Sequence, residues 1–189
     1  MIIPRINPKI NKLNNLKTYI FIFIFLVLTF LAEINIVFEA TFTISRFLLS
    51  IILIVQLVAA IVDLKHKIIP ISLIIAALLI GTAFLYVSYV CKMDLSAKNH
   101  LSGGLGSFII IMVLLFLSKG QIGTGDLMLF TVTGFYTGMS IALLIICLSI
   151  LISGVYSTFL LISKRGSKNT EIPFAPFILL ATIILSYSI

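Results

Sequence analysis

The sequence predicts an all-α protein that crosses a membrane about seven times, a polytopic bundle of transmembrane helices. Hydrophobic residues make up 61% of the 189 positions and charged residues only 10%, and the mean hydropathy is +1.27. A soluble domain of this length could not bury so much apolar surface, whereas a bilayer accepts it. Because one membrane helix takes roughly 20 apolar residues, the chain has room for about six to eight spans joined by short loops. We therefore expect one membrane-embedded domain over residues 18–189.

Residues 1–17 form a basic segment before the first apolar run, with four lysine or arginine residues and no acid. Two prolines and four asparagines within it disfavour a stable helix, so we expect a cytosolic lead-in. A secretory signal peptide is the competing interpretation of this end of the chain. Against it stand the length of the basic region and the lack of a clean small-x-small cleavage site after the apolar run.

Apolar runs divide the rest of the chain into seven expected spans. The first covers residues 18–31, with an extension to 38. The other six are residues 42–62, 68–90, 103–117, 127–137, 140–163 and 172–187. Pro70 is tolerated because it falls in the first turn of the third span, and glycines at the start of the fourth span allow close helix packing. Residues 91–100 are expected to form a polar loop.

The basic residues collect on one side of this predicted topology. Ten of the thirteen lie in the N-terminal segment or in the loops after spans two, four and six, namely Arg5, Lys9, Lys12, Lys17, Lys65, Lys67, Lys119, Lys164, Arg165 and Lys168. An excess of lysine and arginine marks the cytosolic side of a membrane protein, so the N-terminus and these loops are predicted to be cytosolic. Basic residues placed between apolar runs argue against a nucleic-acid partner, despite the net charge of +7, and favour contact with anionic lipid headgroups of the bilayer.

Two aspartates are the candidate functional residues. Asp63 follows the second span and Asp126 precedes the fifth, so the topology puts both at the cytosolic leaflet. An acid at the mouth of a membrane helix is costly to bury and is a functional candidate by default. Gly123 and Gly125 stand before the second acid, and glycine gives the backbone access to positive φ and lets another chain approach closely.

Two carboxyl groups at matching depth on separate helices can meet. In a medium of low dielectric such a pair cannot be doubly ionised cheaply and would share one proton. One ionised and one protonated acid can activate a water molecule and polarise a peptide carbonyl. That reaction is aspartyl peptide hydrolysis, with no metal, no cofactor and no covalent intermediate. Because Leu64 and Leu127 follow the two acids, the Asp-Thr/Ser-Gly signature of soluble aspartic proteases is excluded.

Spacing and depth alone leave other roles open for both acids. Asp126 stands near a helix N-terminus, where the macrodipole favours negative charge, and Asp63 can pair with Lys67 four residues later. Intramembrane acids also line transport pathways. A proton- or cation-coupled transporter that uses the same acids is therefore an alternative.

Three short motifs occur along the chain. Residues 63–70 read Asp-Leu-Lys-His-Lys-Ile-Ile-Pro, residues 123–126 read Gly-Thr-Gly-Asp, and residues 172–177 read Ile-Pro-Phe-Ala-Pro-Phe. In this order they resemble the first aspartate motif, the GxGD motif and the C-terminal Ile-Pro-Phe-Gly-Pro-Phe of the type IV prepilin peptidases. The resemblance covers residues 45 to 189.

The resemblance implies a six-helix peptidase core after one N-terminal span, in the (inner) cell membrane of a prokaryote. It also implies that Asp63 and Asp126 are the catalytic pair, with Gly123 and Gly125 in the active-site loop. The substrate would be a prepilin or pseudopilin precursor with a short basic leader, cut on the cytosolic side just before its hydrophobic helix.

The third motif would contribute to substrate binding through Pro173, Phe174 and Pro176. Prolines at the start of a span leave backbone groups unpaired, and an extended substrate can bind such groups. The competing interpretation is a simple helix-entry signal.

The chain departs from the family pattern at three positions: Met128 stands where lysine is frequent, Ile71 where asparagine or aspartate is usual, and Ala175 where glycine is usual. None of these removes a carboxylate, but each changes its surroundings. A catalytically inactive assembly partner of a pilus or secretion apparatus is therefore a further alternative. The two cysteines lie far apart and do not form the cysteine-rich segment of bifunctional members, so the chain resembles the short, peptidase-only form. This leaves N-methylation in doubt.

Overall fold

Six helices make up the part of the chain that the computed structural model describes, which is residues 44–91, 96–118, 123–163 and 172–186. They are α1 (Ile44–His66), α2 (Ile71–Val90), α3 (Ala97–Leu117), α4 (Thr124–Thr137), α5 (Met139–Ile162) and α6 (Ala175–Ser186). No strand occurs among these residues, and the predicted all-α class is confirmed. The predicted first span and the basic segment before it lie outside the described residues.

Four of the helices, α1, α2, α3 and α5, are long and apolar enough to cross a membrane, so the chain is a multi-pass membrane protein. Helices α4 and α6 have 14 and 12 residues. At 1.5 Å per residue they measure about 21 and 18 Å, less than the roughly 30 Å of a bilayer core. These two short helices begin at the second and third motifs. The number of spans stays a prediction, since the first lies outside the described residues.

Helix α4 is at the centre of the bundle and contacts each of the other five helices. Its residues 129–137 are all buried except Thr131, which is partly buried. At Gly134 it crosses α3 at Gly103 so closely that a Cβ on either glycine would overlap the backbone of the other. Small residues permit this approach, as predicted for the glycines at the start of the fourth span.

The predicted polar loop at residues 91–100 is wrong in its second half, because α3 already begins at Ala97. Two of its polar side chains, those of Asn99 and His100, bind backbone groups of other helices. The buried ring of His100 is hydrogen-bonded through Nδ1 to the carbonyl oxygen of Phe135 over 3.0 Å. The side-chain oxygen Oδ1 of Asn99 accepts a bond from the backbone N–H of Met139 over 3.2 Å. These bonds join the start of α3 to the turn between α4 and α5.

Two other helices begin later than predicted. Helices α2 and α6 start at Ile71 and Ala175, three residues after the expected starts of the third and seventh spans. Pro70 has extended backbone angles (φ −67°, ψ 124°) before α2. A proline also disfavours helical angles at the residue before it, which applies to Ile69 and, before Pro173, to Ile172. The residue before each proline is therefore kept out of the helix, which delays the start of both helices.

Candidate active site

Asp63 lies in the last turn of α1 and is almost fully buried, with 6% of its surface exposed. Its carboxylate oxygen Oδ2 accepts a hydrogen bond of 3.0 Å from the backbone N–H of Ala175, the first residue of α6. The backbone of Phe174 also interacts with this carboxylate. The first N–H groups of a helix have no partner within that helix, and the helix dipole favours a negative charge there. The third motif therefore binds the acid of the first motif.

The turn after Asp63 places a cation beside it. Helix α1 ends at His66, and Lys67 has a φ of 53°, the left-handed conformation in which many helices end. The N–H of Lys67 donates to the carbonyl oxygen of Asp63 over 2.8 Å, and the positive charge of Lys67 attracts the Asp63 carboxylate. The pairing expected as a structural alternative stays a prediction, whereas the bond from Ala175 to Asp63 is present.

Asp126 lies inside the first turn of α4, because the helix begins at Thr124, at the loop glycines where the predicted fifth span was expected to start. Gly123 is the N-cap, and its backbone interacts with the Asp126 carboxylate. An acid at the third helical position that reaches back to the N-cap is half of a capping box. The structural role expected for Asp126 at a helix start is therefore also present.

The two glycines of the second motif allow close contacts, but the expectation of positive φ is wrong. Gly123 has a φ of −72°, and Gly125 also lies outside the positive region. A Cβ on Gly123 would lie 3.2 Å from Oδ2 of Asp126, and one on Gly125 would lie 3.1 Å from Cβ of Ile69. Ile69 belongs to the first motif and is buried. Because residue 125 is a glycine, the first two motifs can pack against each other at this point.

The two aspartates lie near enough for the charge of Asp63 to act on the carboxyl group of Asp126. The third motif joins them through an aromatic contact, in which the ring centroids of Phe174 and Phe130 are 5.8 Å apart. All three motifs therefore meet at one end of the bundle. Two acids from distant parts of the chain and the N-terminus of α6 therefore lie in the same region.

A cavity of about 430 Å³ opens beside Asp126. Phe130 and Phe174 line it, together with Ile172 and apolar residues of α3 and α5. Asp126 is the only acid among its described lining residues. The cavity is therefore mainly apolar, with one carboxyl group in its lining.

A second, apolar groove of about 560 Å³ lies across the start of α6. Pro173 and Pro176 line this groove, whereas Phe174 between them lines the cavity beside Asp126. Leu64, the neighbour of Asp63, lines the groove as well, and Ile172 lines both spaces. The three residues predicted to bind substrate therefore belong to two different spaces, separated by residues 172–174.

Fewer backbone groups at the start of α6 are free to bind a substrate than its prolines predicted. The N–H of Ala175 is bound to Asp63, and the carbonyl oxygen of Phe174 accepts bonds from Phe177 and Ile178. Sequence reasoning missed the roles of Ala175 and Ile69. Both residues lie within the quoted motifs, but no local pattern predicts that Ala175 binds Asp63 or that Ile69 lies against Gly125.

The described residues contain no group of three or more His, Cys, Asp or Glu side chains arranged to hold a metal ion. Both cysteines, Cys91 and Cys147, are exposed and unpaired with each other. The expected absence of a metal and of a cofactor stays a prediction.

Comparison with known proteins identifies the family. The type IV leader peptidase family matches residues 50–158, which is more than half of the chain. The chain belongs to the type IV leader peptidase family. The matched segment contains the first two motifs, with Asp63 and Asp126, and ends before the third.

Curated relatives in the type IV leader peptidase family carry the name prepilin leader peptidase/N-methyltransferase. The chain is 28% identical to the Bacillus subtilis (strain 168) protein over 128 residues, 68% of this chain and 50% of that protein. It is 28% identical to the Xanthomonas campestris pv. campestris protein over 125 residues, 64% and 42% of the two chains. With the Legionella pneumophila protein it shares 26% identity over 141 residues, 74% and 48% of the two chains. The chain thus spans about half the length of the curated relatives it matches. No solved structure matches it significantly.

Proposed function

We propose that the chain is a membrane aspartyl endopeptidase that removes the short basic leader from prepilin-like or pseudopilin precursors. The observation that carries the proposal is that the motifs with Asp63 and Asp126 pack together, with Ile69 against Gly125, and that Asp126 lines a cavity of about 430 Å³. A second observation supports it: the only acids among the described residues are these two. The names of the curated relatives give the substrate class, and the proposal takes only their peptidase activity.

The hydrogen bonds favour different roles for the two carboxyl groups. Oδ2 of Asp63 accepts from the N–H of Ala175, so a proton shared by the pair resides on the other Asp63 oxygen or on Asp126. The attraction of Lys67 and the N-terminus of α6 both favour negative charge on Asp63. We therefore assign Asp63 as the base that takes a proton from water, and Asp126 as the acid.

The reaction then follows with balanced protons. The water oxygen forms a bond to the carbonyl carbon of the scissile peptide while its proton passes to Asp63, and the proton of Asp126 passes to the carbonyl oxygen. The carbon–nitrogen bond breaks as Asp63 returns its proton to the leaving amine. Asp126 recovers a proton from the hydroxyl of the intermediate. Neither step requires a covalent enzyme intermediate.

The position of the proposed site suits cleavage of a peptide bond that lies next to the precursor's own membrane helix. Asp63 lies at the end of a membrane-crossing helix and is followed by the exposed basic residues Lys65 and Lys67. Basic residues of this kind mark the cytosolic side, so we place the site at the cytosolic face of a prokaryotic cell membrane. A precursor can then offer its basic leader to the cytosol and its hydrophobic helix to the bilayer.

The test is the mass of a precursor's N-terminus after co-expression with the chain. Asp63→Asn and Asp126→Asn keep the size of the side chain but remove the acid, and each is expected to lower cleavage by roughly 10²- to 10⁴-fold. Asp94→Asn is the matched control, because it makes the same exchange in a loop predicted on the opposite side. Full processing by either active-site variant, at normal protein level, contradicts the proposal.

Two further measurements, co-purification of a precursor and ion flux into liposomes, separate the alternatives. A precursor that co-purifies with the wild-type chain but keeps its leader indicates an inactive assembly partner. Ion flux into liposomes that depends on Asp63, without any cleavage of a precursor, indicates a transporter. An added methyl group on the new N-terminus would appear in the same mass spectrum.

A further inference from the structure

A second polar pair connects the two helices that carry the aspartates. Gln56 of α1 is fully buried, and its Nε2 donates a hydrogen bond of 2.9 Å to Oγ1 of Thr133 in α4. Thr133 is also buried, and its hydroxyl donates to the carbonyl oxygen of Leu129 over 2.8 Å. Because the single hydroxyl proton of Thr133 is used in that bond, its oxygen can only accept from Gln56. The two hydrogen bonds therefore run in a fixed order, from Gln56 to Thr133 and from Thr133 to the carbonyl oxygen of Leu129.

Gln56 and Thr133 are equally far in sequence from the aspartates of their own helices. Gln56 precedes Asp63 by seven residues, and Thr133 follows Asp126 by seven residues. Seven residues are about two helical turns, or roughly 10 Å along the axis, and return to nearly the same face. The two helices thus come together at two levels, once at the hydrogen bond between Gln56 and Thr133 and once near the aspartates, where Ile69 lies against Gly125.

The residues between the two levels permit close contact of the helices. Ala59 and Ala60 lie between Gln56 and Asp63 and are almost fully buried, and α1 contacts α4. Small side chains let helix backbones approach, and a polar side chain can then bond across the interface. Because both helices are stiff, a fixed contact between Gln56 and Thr133 also fixes the relative position of the two aspartates.

Stability alone does not account for this pair. The amide oxygen Oε1 of Gln56 is buried and has no hydrogen-bond partner among the described residues. A buried polar atom without a partner is unfavourable, and two apolar side chains of similar shape would avoid that cost. Buried polar pairs are best attested as devices that select one register between helices.

We propose that Gln56 and Thr133 are positioning residues, whose hydrogen bond sets the register of α1 against α4 so that Asp63 and Asp126 meet. Neither residue touches the substrate. This inference rests on the proposed function for its kinetic consequence, but its structural consequence can be measured in a chain with no activity.

The kinetic experiment uses Gln56→Leu combined with Thr133→Val, which removes both polar partners and retains the apolar volume. This double variant is expected to unfold at a temperature equal to or above that of the wild type. Its kcat is expected to fall by roughly 10- to 100-fold, since a shift of about 1 Å is enough for such a loss. KM should stay within about twofold. An unchanged kcat in the folded double variant overturns the proposal.

Single variants keep the proposal testable if the double variant does not fold. Thr133→Ser retains the hydroxyl and should keep most of the wild-type kcat, whereas Thr133→Val should lose it. Thr182→Val is the matched control, because Thr182 is buried and bonds only within α6 among the described residues, to Ile178. Equal losses in Thr133→Ser and Thr133→Val contradict a role for the hydrogen bond.

The structural experiment needs no substrate. Asp63→Cys and Asp126→Cys are introduced into a chain that lacks Cys91 and Cys147, and disulfide formation between the new pair is timed. Adding Gln56→Leu and Thr133→Val should slow it by roughly fivefold or more, because disulfides tolerate little change in separation. An unchanged rate overturns the positioning role. The proposed function fails separately, if the wild-type chain cleaves no precursor.

Discussion

The backbone N–H of Ala175 donates a hydrogen bond to the carboxylate of Asp63, 112 residues earlier in the chain. This bond connects the last described helix to the end of the first. It also gives the acid a fixed orientation, because a backbone donor at a helix start moves only with the helix. The third motif thus has a role that does not depend on direct contact with substrate.

Replacing Ala175 tests the role of this bond. Ala175→Pro removes the N–H at a position where a helix tolerates proline. A bond to a charged group is worth about 1.5–3 kcal/mol, so we expect a comparable loss of unfolding free energy. Turnover should fall by roughly 10- to 100-fold, because the acid loses its orientation. Ala175→Gly keeps the N–H and is the control for melting and cleavage assays. Wild-type turnover in Ala175→Pro would show that the bond is dispensable.

The contact between Gly125 and Ile69 predicts a rescue. Gly125→Val adds bulk where even a Cβ would lie 3.1 Å from Cβ of Ile69. Overpacking of this kind costs about 1–3 kcal/mol, and it should also separate the first two motifs and lower cleavage. Combining it with Ile69→Ala makes room and should restore part of both losses. The check is a double-mutant cycle on unfolding free energy and on cleavage rate, and simple additivity would rule out this contact as the cause.

Replacement by alanine is predicted to have opposite effects at two glycines, one at the crossing of α3 and α4 and one in α5, away from that crossing. Gly103→Ala would drive a methyl group into the backbone of Gly134, and we expect a loss of about 1–3 kcal/mol or more. Gly154→Ala, in α5, meets no atom within 4 Å. There the better helix propensity of alanine should stabilise the protein by about 0.5–1 kcal/mol. Denaturant unfolding in detergent measures both, and similar effects of the two changes would contradict the close crossing.

Accessibility labelling tests the orientation in the membrane. Cys91 is exposed at the end of α2, on the side predicted to face away from the cytosol. In a Cys147→Ala chain it should react with a membrane-impermeant maleimide in intact cells. With Cys91 also removed, His66→Cys in the exposed turn after Asp63 should react only after the membrane is opened. Labelling of both sites from the same side would contradict the topology.

The sequence predicted the class of fold correctly, for a physical reason. Hydropathy is averaged over many residues, so the helices could be located to within a few residues, and Asp63 and Asp126 were identifiable as acids beside apolar runs. Helix α3 was the exception. The side chains of His100 and Asn99 bind backbone atoms of distant helices, and no local pattern predicts such partners.

The details of the site could not be predicted from local sequence. A glycine offers two different advantages, positive φ and small size, and the sequence does not say which one is used. At Gly125 it is small size, because the neighbour is Ile69. Gln56 did carry a signal, as a polar residue in an apolar run seven positions before an acid, but its partner Thr133 could be recognised only once the two helices were seen in contact.

Residues 172–174 separate the cavity beside Asp126 from the apolar groove that Leu64 lines, and Ile172 lines both. An inhibitor therefore does not need to resemble a transition state or to compete for the carboxyl groups. An apolar compound bound in the outer groove would contact Pro173 and Pro176, which flank the Ala175 that binds Asp63. We expect such a compound to disturb this bond and to lower activity without entering the cavity beside Asp126.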